Sequence, residues 1–381
     1  MKAVAMHMQT AVNSGIFPGA VLLVSHQDKI VFHEAFGLAD IGSGQLMQTN
    51  SVFDLASLTK PLATALCAMK LVEQRKIFID QSLGQILPES LSTDKADITI
   101  DHLLRHTSGL PAHRPFYEKV ICHPEELRQS IMRQFVLQEP VLAKPGKKQI
   151  YSDLGYMLLA WVIEKISGCP LDKFAREQIY ELAGIDELFF IHTNHQNRAI
   201  LTKHEKLFVS TEMCPWRKKI LRGEVHDDNA WAVGGVDGHA GLFGTASGVW
   251  QILVELMHLL HSNHSHYRVS TNHEDKNKTC FHDKKNDFIN VDILKKFLAK
   301  KDGFDMVAGF DTPSLSGSST GKYFSSESIG HLGFTGTSFW MDPLKNLIVI
   351  LLSNRVHPSR ENQKIKLFRP EIHNIIAKTL L

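Results

Sequence analysis

The chain has 381 residues, of which 43 % are hydrophobic and 22 % are charged. This length is enough for one large domain with an insertion, or for two to three domains of ordinary size. Its 42 Lys and Arg residues and 40 Asp and Glu residues leave a formal net charge of +2. A balance so close to neutral excludes non-specific attraction to nucleic acid or to an anionic membrane, so we expect neither as a partner.

The cysteines and the N-terminal sequence give an expectation for the cellular compartment of the protein. The five cysteines form no C-x-x-C pair, so neither a disulfide framework nor a thiolate metal site is predicted. The first apolar stretch is interrupted by His7, Gln9 and Asn13, which is unlike a signal peptide. No stretch reaches the roughly 18 apolar residues of a membrane span. We therefore expect a cytoplasmic protein.

The N-terminal part of the chain alternates between helical and extended patterns. Apolar residues at helical spacing predict a helix over 4–12 that ends at Gly15. Two β-rich segments, 20–25 and 30–36, are joined by a short polar turn and predict a hairpin. Apolar positions three and four residues apart then predict a helix over 57–74, packed on one face.

The middle of the chain is mostly helical, and strands return near its end. Gly, Pro and polar turns separate the predicted helices, which are 101–106, 124–137, 153–166, 170–182 and 247–261. A polar segment without periodicity, at about 261–287, predicts a long surface loop. The last predicted elements are strands over 305–311, 329–341 and 346–353, followed by a helix over 371–381.

Strand segments at both ends with helices between them predict an α/β domain whose terminal parts meet and are interrupted by a helical insertion. The predicted boundaries place 1–60 and 300–381 in one discontinuous sheet domain. Residues 61–299 form the mostly helical region, which includes the polar loop.

One short motif carries chemistry. Ser57 and Lys60 form S-x-x-K where an extended segment turns into the predicted 57–74 helix. Side chains three residues apart share a helix face and lie about 5–6 Å apart at Cβ, so the Lys60 amine can reach the Ser57 hydroxyl. Burial and the positive end of the helix predict a lowered pKa for Lys60, which would let it accept the serine proton. By itself this spacing also arises by chance.

Two further motifs follow in order. Tyr151-Ser152-Asp153 immediately precedes an apolar helix, with Ser152 or Asp153 placed to cap it. His331-Leu332-Gly333-Phe334-Thr335-Gly336-Thr337 reads as a strand, in which Gly333 leaves room for a substrate beside the backbone.

This order of motifs resembles the class C β-lactamases, the D-Ala-D-Ala carboxypeptidases and the family VIII carboxylesterases. The resemblance extends over most of the chain and includes 106–110, 234–242 and 352–355. It implies a β-lactamase/transpeptidase-like fold, in which an antiparallel sheet is flanked by helices and the active site lies in the cleft beside a helical region.

The resemblance also implies roles for individual residues. Ser57 is similar to the acylated nucleophile, Lys60 to its proton acceptor and Tyr151 to the base that activates the deacylating water. The oxyanion hole is similar to one formed by the backbone N–H groups of Ser57 and Phe334. These roles require no metal and no organic cofactor.

Two departures from the family pattern affect the proton transfer and the binding of substrate. Asp153 stands where Asn is usual, and an anion there favours the Lys60 ammonium, so the group that takes the first proton is left open. His331 replaces a lysine and would carry charge mainly below pH ~6.5, which weakens the grip on a substrate carboxylate. Asp153, His331 and Gly333 are expected to contact substrate, and Arg355 to bind a carboxylate or form a surface ion pair.

The predicted function is a serine hydrolase that forms an acyl-enzyme on an ester or amide, as an esterase or a muropeptide amidase or peptidase. The alternatives are a β-lactamase or D-Ala-D-Ala carboxypeptidase and, from another class, a non-catalytic binding protein of the same fold. The expected partner is a small-molecule or muropeptide substrate, and the oligomeric state is left open.

Overall fold

The structure is a computed structural model that describes residues 1–193, 204–205, 207–262 and 288–381. The described strands are β1 Gly19–His26, β2 Lys29–Asp40, β3 Gln45–Leu46, β4 Phe53–Asp54, β5 Leu188–Phe190, β6 Met213–Cys214, β7 Lys219–Ile220, β8 Leu242–Gly244, β9 Ile329–Leu332, β10 Ser338–Asp342 and β11 Leu347–Ser353. The described α-helices are α1 Lys2–Asn13, α2 Leu66–Glu73, α3 Leu83–Ile86, α4 Ile100–Leu104, α5 Tyr117–Val120, α6 Glu125–Gln138, α7 Asp153–Ser167, α8 Leu171–Ala175, α9 Glu181–Ala183, α10 Asp228–Ala232, α11 Ala246–His261, α12 Val291–Leu298 and α13 Ile365–Leu380.

The main sheet joins the two ends of the chain. Six antiparallel strands follow the order β3-β2-β1-β11-β10-β9. β1 pairs with β11 from Ala20 opposite Ser353 to His26 opposite Leu347. The predicted hairpin over 20–25 and 30–36 forms its β1–β2 part. An antiparallel sheet flanked by helices is therefore confirmed.

Both faces of the central strands β1, β10 and β11 are buried, and side chains alternate between the two faces along each strand. Leu22 and Val349 point to the face that α1 and α13 cover. Leu23 and Ile350 point to the opposite face, where they join the large core shared with α2, α7 and α11. The sheet therefore lies between a terminal helix pair and the helical part of the chain.

The predicted middle helices are found, with ends shifted by one or two residues: they are α4, α6, α7, α8 with its continuation to Ala183, and α11. A second sheet, ordered β4-β8-β5, was not predicted. Its strands have only two or three residues, too few for an alternating pattern to show. It places β4, directly before Ser57, beside β8.

One predicted strand is wrong, and another is interrupted. Residues 305–311 form isolated bridges around a turn at Gly309. The φ of Gly309 is +91°, and a Cβ at this position would lie 2.4 Å from the Ala65 Cβ, so the chain turns here and does not continue as a strand. The predicted strand over 329–341 is divided into β9 and β10 by a turn, in which the Gly333 N–H donates to the Thr337 carbonyl.

The predicted C-terminal helix begins earlier than expected, at Ile365, and includes Pro370. Most of the predicted loop at 261–287 lies outside the described residues. The boundaries between the sheet domain and the helical region stay a prediction.

Among the described residues, no single helix is long and apolar enough to cross a membrane, although one sharply bent pair, Asp153–Ser167 with Leu171–Ala183, passes that test by length and composition.

Asn354 joins three backbone segments at the end of β11. Its side chain accepts a hydrogen bond from the Gly19 N–H at 2.9 Å and donates to the Leu38 and Ala39 carbonyls at 3.2 Å. Asn354→Ala leaves these buried groups unpaired, so the free energy of unfolding should fall by about 2–4 kcal/mol in urea denaturation. Asn13→Ala, at an exposed asparagine, should change it by less than about 0.5 kcal/mol. Equal effects of the two substitutions would contradict this role.

Candidate active site

Ser57 lies in a sharp turn between β4 and a long helix. A 3₁₀ turn, Ala56–Leu58, leads into a π-helical segment, Lys60–Ala65, and then into α2. Ala56 has a φ of +48°, which is costly for a residue with a Cβ. The carboxylate of Asp54 holds this turn by accepting the Ala56 N–H at 2.8 Å. The strained turn presents Ser57 at the beginning of the helix, as the S-x-x-K spacing predicts.

The Lys60 side chain is fully buried, and each of its three ammonium protons has an acceptor. Nζ donates to Ser57 Oγ at 3.0 Å, to Asp153 Oδ1 at 2.8 Å and to the His239 carbonyl at 3.0 Å. These contacts fix the amine beside the serine hydroxyl and link it to the beginning of α7.

Asp153 reverses the expected direction of the Lys60 pKa shift. Burial alone would lower the pKa of Lys60, but the Asp153 carboxylate outweighs burial and the pKa is raised. Burial likewise opposes ionisation of Asp153, yet Lys60 and His113 hold the pKa of Asp153 well below its ordinary value. The predicted lowering of the Lys60 pKa is therefore wrong. In the resting site Lys60 is an ammonium that donates to Ser57.

Tyr151 completes the group around the serine. Its ring centroid lies 5.0 Å from Lys60 Nζ, and its hydroxyl interacts with both Ser57 and Lys60. Burial raises the pKa of Tyr151, while the charge of Lys60 opposes that rise. His106 packs against the ring at 4.4 Å and accepts the Ser152 N–H through Nδ1. The phenol is thus neutral at pH 7, and its ring packs against His106 although the residue is 38 % exposed.

Two histidines that the sequence analysis missed border this cluster. His113 lies at the cleft surface with Nδ1 3.5 Å from Asp153 Oδ2, and this contact raises its pKa. His239 is buried, and burial is outweighed by Asp227 and Asp237, which raise its pKa to about 10. His239 therefore carries a positive charge, balanced by two carboxylates. Both histidines reach the site through contacts between distant segments, for which the sequence holds no local signal.

The loop between β9 and β10 is attached to the serine turn. Thr335 Oγ1 donates to the Asp54 carbonyl at 2.8 Å, and Thr337 Oγ1 donates to the Leu55 carbonyl at 3.0 Å. Within the described parts of the chain, the backbone N–H groups of Ser57 and Phe334 donate to no protein acceptor. The two amides that the resemblance assigns to an oxyanion hole are thus available to a ligand.

Gly333 allows the loop to approach the serine turn closely. The expectation that it leaves room for substrate beside the backbone is not supported. A Cβ at Gly333 would lie 1.9 Å from Thr337 Oγ1 and 2.8 Å from the Leu55 carbonyl oxygen. A larger residue would therefore push the loop away from the serine turn.

His331 has a different charge from the one expected. It is 2 % exposed, its ring lies 5.8 Å from that of Tyr151, and its Nδ1 is 3.0 Å from the Leu332 carbonyl. Burial, assisted by the nearby charge of Lys60, lowers the pKa of His331 to about 3. The expectation that it becomes a cation below pH ~6.5 is therefore wrong, because the ring stays neutral throughout the physiological range.

Arg355 is committed to the protein backbone. Its Nε donates to the Phe334 carbonyl at 2.9 Å, and its Nη1 donates to the carbonyls of Arg360 and Asn362 at 2.9 and 2.8 Å. These contacts do not support the prediction that Arg355 binds a substrate carboxylate, nor the alternative of a surface ion pair, since the residue is 5 % exposed.

The site therefore brings together Ser57, Lys60, Tyr151, Asp153 and His331, with Phe334 on the adjoining loop. Among the described residues, no group of three or more His, Cys, Asp or Glu side chains is arranged to hold a metal ion. The group provides a serine hydroxyl in contact with an ammonium and a phenol, beside two free backbone amides. Such an arrangement can stabilise the negative charge that develops on the carbonyl oxygen during acyl transfer.

The chain is similar to known proteins over nearly its whole length. The Beta-lactamase family model matches residues 4–372. An N-acetylmuramyl-L-alanine amidase from Bacillus subtilis (strain 168) is 30 % identical, covering 90 % of this chain and 78 % of the relative. A protein from Escherichia coli (strain K12), named as a candidate D-alanyl-D-alanine carboxypeptidase, is 26 % identical and covers 91 % of this chain and 81 % of the relative.

A solved structure has the same fold. EstCE1, described as a hydrolase with promiscuous acyltransferase activity, superposes with a TM-score of 0.69 at 19 % identity and covers 98 % of both chains. The chain belongs to the Beta-lactamase family. It is a serine hydrolase of that family, acting on ester or amide bonds.

The neutral state of His331 makes a prediction for stability. The pKa of His331 is about 3 in the folded protein and roughly 6.5 in the unfolded chain. Below pH ~6.5 the unfolded state therefore binds more protons, and the free energy of unfolding decreases as the pH is lowered. His331→Gln should remove about 2 kcal/mol of the stability loss between pH 7 and 5, measured by urea denaturation at each pH. His123→Gln, at an exposed histidine, should leave the loss unchanged. A loss of unchanged size in His331→Gln would show that the ring is already charged at pH 5.

Proposed function

We propose that the chain hydrolyses an amide bond in a muropeptide-type small molecule through an acyl-enzyme on Ser57. The observation that carries the proposal is the contact of Ser57 Oγ with Lys60 Nζ at 3.0 Å, next to Tyr151 and to two free backbone amides. The amides are placed to stabilise the oxyanion that forms when a serine oxygen attacks a carbonyl carbon.

The charge state of the site supports Tyr151 as the group that moves the proton. Ser57 Oγ bonds to the carbonyl carbon as its proton passes to the phenol oxygen, and the phenol proton passes to the leaving nitrogen. The C–N bond then breaks to give an ester on Ser57 and a neutral amine. Lys60 remains an ammonium throughout and stabilises the partial negative charge that the phenol oxygen carries while the two protons move. Deacylation repeats this transfer with water in place of serine.

The state of the two side chains expected to bind a substrate carboxylate, His331 and Arg355, supports the choice of bond. In D-Ala-D-Ala peptides and in β-lactams, a carboxylate lies close to the scissile amide. Here His331 is neutral and Arg355 is held by backbone carbonyls. The amide between N-acetylmuramic acid and L-alanine has no such adjacent carboxylate, and the B. subtilis relative is named for that bond. The site therefore favours an amidase over a carboxypeptidase or β-lactamase. The cytoplasmic location stays a prediction.

The substrate class is tested with four compounds and two serine variants. Purified protein is incubated with N-acetylmuramyl-L-alanyl-D-isoglutamine, diacetyl-L-Lys-D-Ala-D-Ala, nitrocefin and p-nitrophenyl butyrate. We expect release of L-alanyl-D-isoglutamine at a higher kcat/KM than release of D-alanine or opening of nitrocefin. Ser57→Ala should abolish all turnover and fluorophosphonate labelling, while Ser14→Ala, at an exposed serine, should retain both. Preferred release of D-alanine would contradict the amidase, and turnover by Ser57→Ala would contradict the nucleophile.

The charge of Lys60 is tested through Asp153. Asp153→Asn removes the anion that raises the Lys60 pKa, so burial should bring the pKa of Lys60 below its ordinary value of about 10.4. Because the proposed transfer needs the ammonium, the rate of fluorophosphonate labelling should fall at about pH 7–9 in Asp153→Asn and stay level there in the wild type. Asp172→Asn, at a carboxylate paired with His192 instead, is the control. Faster labelling of Asp153→Asn at neutral pH would show that a neutral lysine takes the proton.

A further inference from the structure

The ring of Phe334 contacts two side chains although the residue is about half exposed. The imidazole of His226 stacks on one side, with ring centroids 5.6 Å apart. The Arg355 guanidinium carbon lies 4.6 Å from the ring centroid. These two ring contacts, with the hydrogen bond from Arg355 Nε to the Phe334 carbonyl, can fix the direction of the Phe334 N–H, which is one of the two free amides.

A buried carboxylate connects these two partners of Phe334. Glu212 is 3 % exposed and accepts Arg360 Nε on both oxygens, at 2.8 and 2.7 Å, while its Oε2 lies 3.0 Å from His226 Nε2. Arg360 in turn offers its carbonyl to Arg355 Nη1 at 2.9 Å. Glu212 thus supports His226 directly, and it supports Arg355 through Arg360.

The same contacts return to the serine turn. The His226 N–H donates to Asp54 Oδ2 at 2.6 Å, and the Asp54 carbonyl accepts Thr335 Oγ1. Thr335 follows Phe334, whose own carbonyl accepts Arg355 Nε at 2.9 Å. The contacts therefore form a closed circuit, which consists of Asp54, His226, Glu212, Arg360, Arg355, Phe334 and Thr335.

Glu212 keeps its charge over the working range of pH. Burial opposes ionisation, but the hydrogen bonds and charges of His226 and Arg360 prevail and lower the pKa of Glu212 to about 2. The Glu212–Arg360 ion pair is therefore intact at any pH near neutrality.

We propose that Glu212 and Arg360 are positioning residues, which hold the Phe334 N–H in the place where it can donate to the oxyanion. This inference rests on the proposed acyl transfer at Ser57. Neither residue takes part in the described contacts of Ser57, Lys60 or Tyr151, so both act through the Phe334 loop. A donor displaced by about 1 Å stabilises the transition state much less than a well-placed one, whereas substrate binding in the ground state changes little.

The test separates kcat from KM in three variants. Arg360→Ala and the near-isosteric Glu212→Gln should lower kcat by about 10- to 100-fold, with KM changed by less than about threefold. Arg360→Lys, which keeps the charge, should recover part of the loss. Rates are divided by the concentration of sites that react with a fluorophosphonate, so partial unfolding does not count as a lower kcat. The ester p-nitrophenyl butyrate is the substrate.

A transition-state mimic gives a second measurement. Phenylboronic acid forms a tetrahedral adduct with a serine oxygen, and one of its hydroxyls would occupy the oxyanion position. Its inhibition constant should rise in Arg360→Ala by about the same factor as kcat falls. Arg133→Ala, which removes the Arg133–Glu164 ion pair between α6 and α7, is the matched control and should leave kcat and this constant unchanged.

The outcomes distinguish the inference from the proposed function. An unchanged kcat per reactive site in both Arg360→Ala and Glu212→Gln would overturn the positioning role, even if both variants lose stability. A loss confined to KM would overturn it as well. If the wild-type protein neither turns over the ester nor reacts with the fluorophosphonate, the proposed function itself fails.

Discussion

The buried ion pair between Lys60 and Asp153 is the interaction on which the site depends. Neither charge would be stable in this position alone, because desolvation opposes both of them. Together they join the helix that carries Ser57 to the beginning of α7, immediately after Tyr151. Removing either partner would leave the other charge uncompensated in a desolvated position.

The rest of the fold brings two free amides to this pair. The main sheet joins the ends of the chain, so that β9 and the loop after it pack beside the turn that follows β4. Thr335 and Thr337 attach that loop to the serine turn, and Gly333 allows the close approach. The strain of Ala56 and the exposure of Phe334 are both compensated by polar contacts nearby, through Asp54 and Arg355. Such features are typical of a site in which geometry is fixed before substrate arrives.

What could be predicted from the sequence is what depends on local spacing. The positions of Ser57 and Lys60 follow from a three-residue helical offset, and the cap at Ser152 follows from its place before an apolar run. The paired ends of the chain follow from strand patterns at both termini.

The charge states could be predicted only in part, since they are set by groups distant in sequence: the family pattern indicates that Asp153 favours the Lys60 ammonium, but not that it outweighs burial. Lys60 is an ammonium because Asp153, 93 positions away, approaches to 2.8 Å. His331 is neutral because the assembled core excludes water from its ring. The sequence indicates that Gly333 and Arg355 are available to substrate. In the fold Gly333 packs against Thr337 and the Leu55 carbonyl, and Arg355 donates to backbone carbonyls.

The central claim is that Lys60 is a permanent ammonium and that the serine proton moves through Tyr151. The most direct measurement is the ¹⁵N resonance of Lys60 Nζ in lysine-labelled protein at pH 8, assigned by its loss in Lys60→Arg. We predict the shift of a protonated amine, unchanged up to pH 10. The shift of a neutral amine at pH 8 would contradict the account.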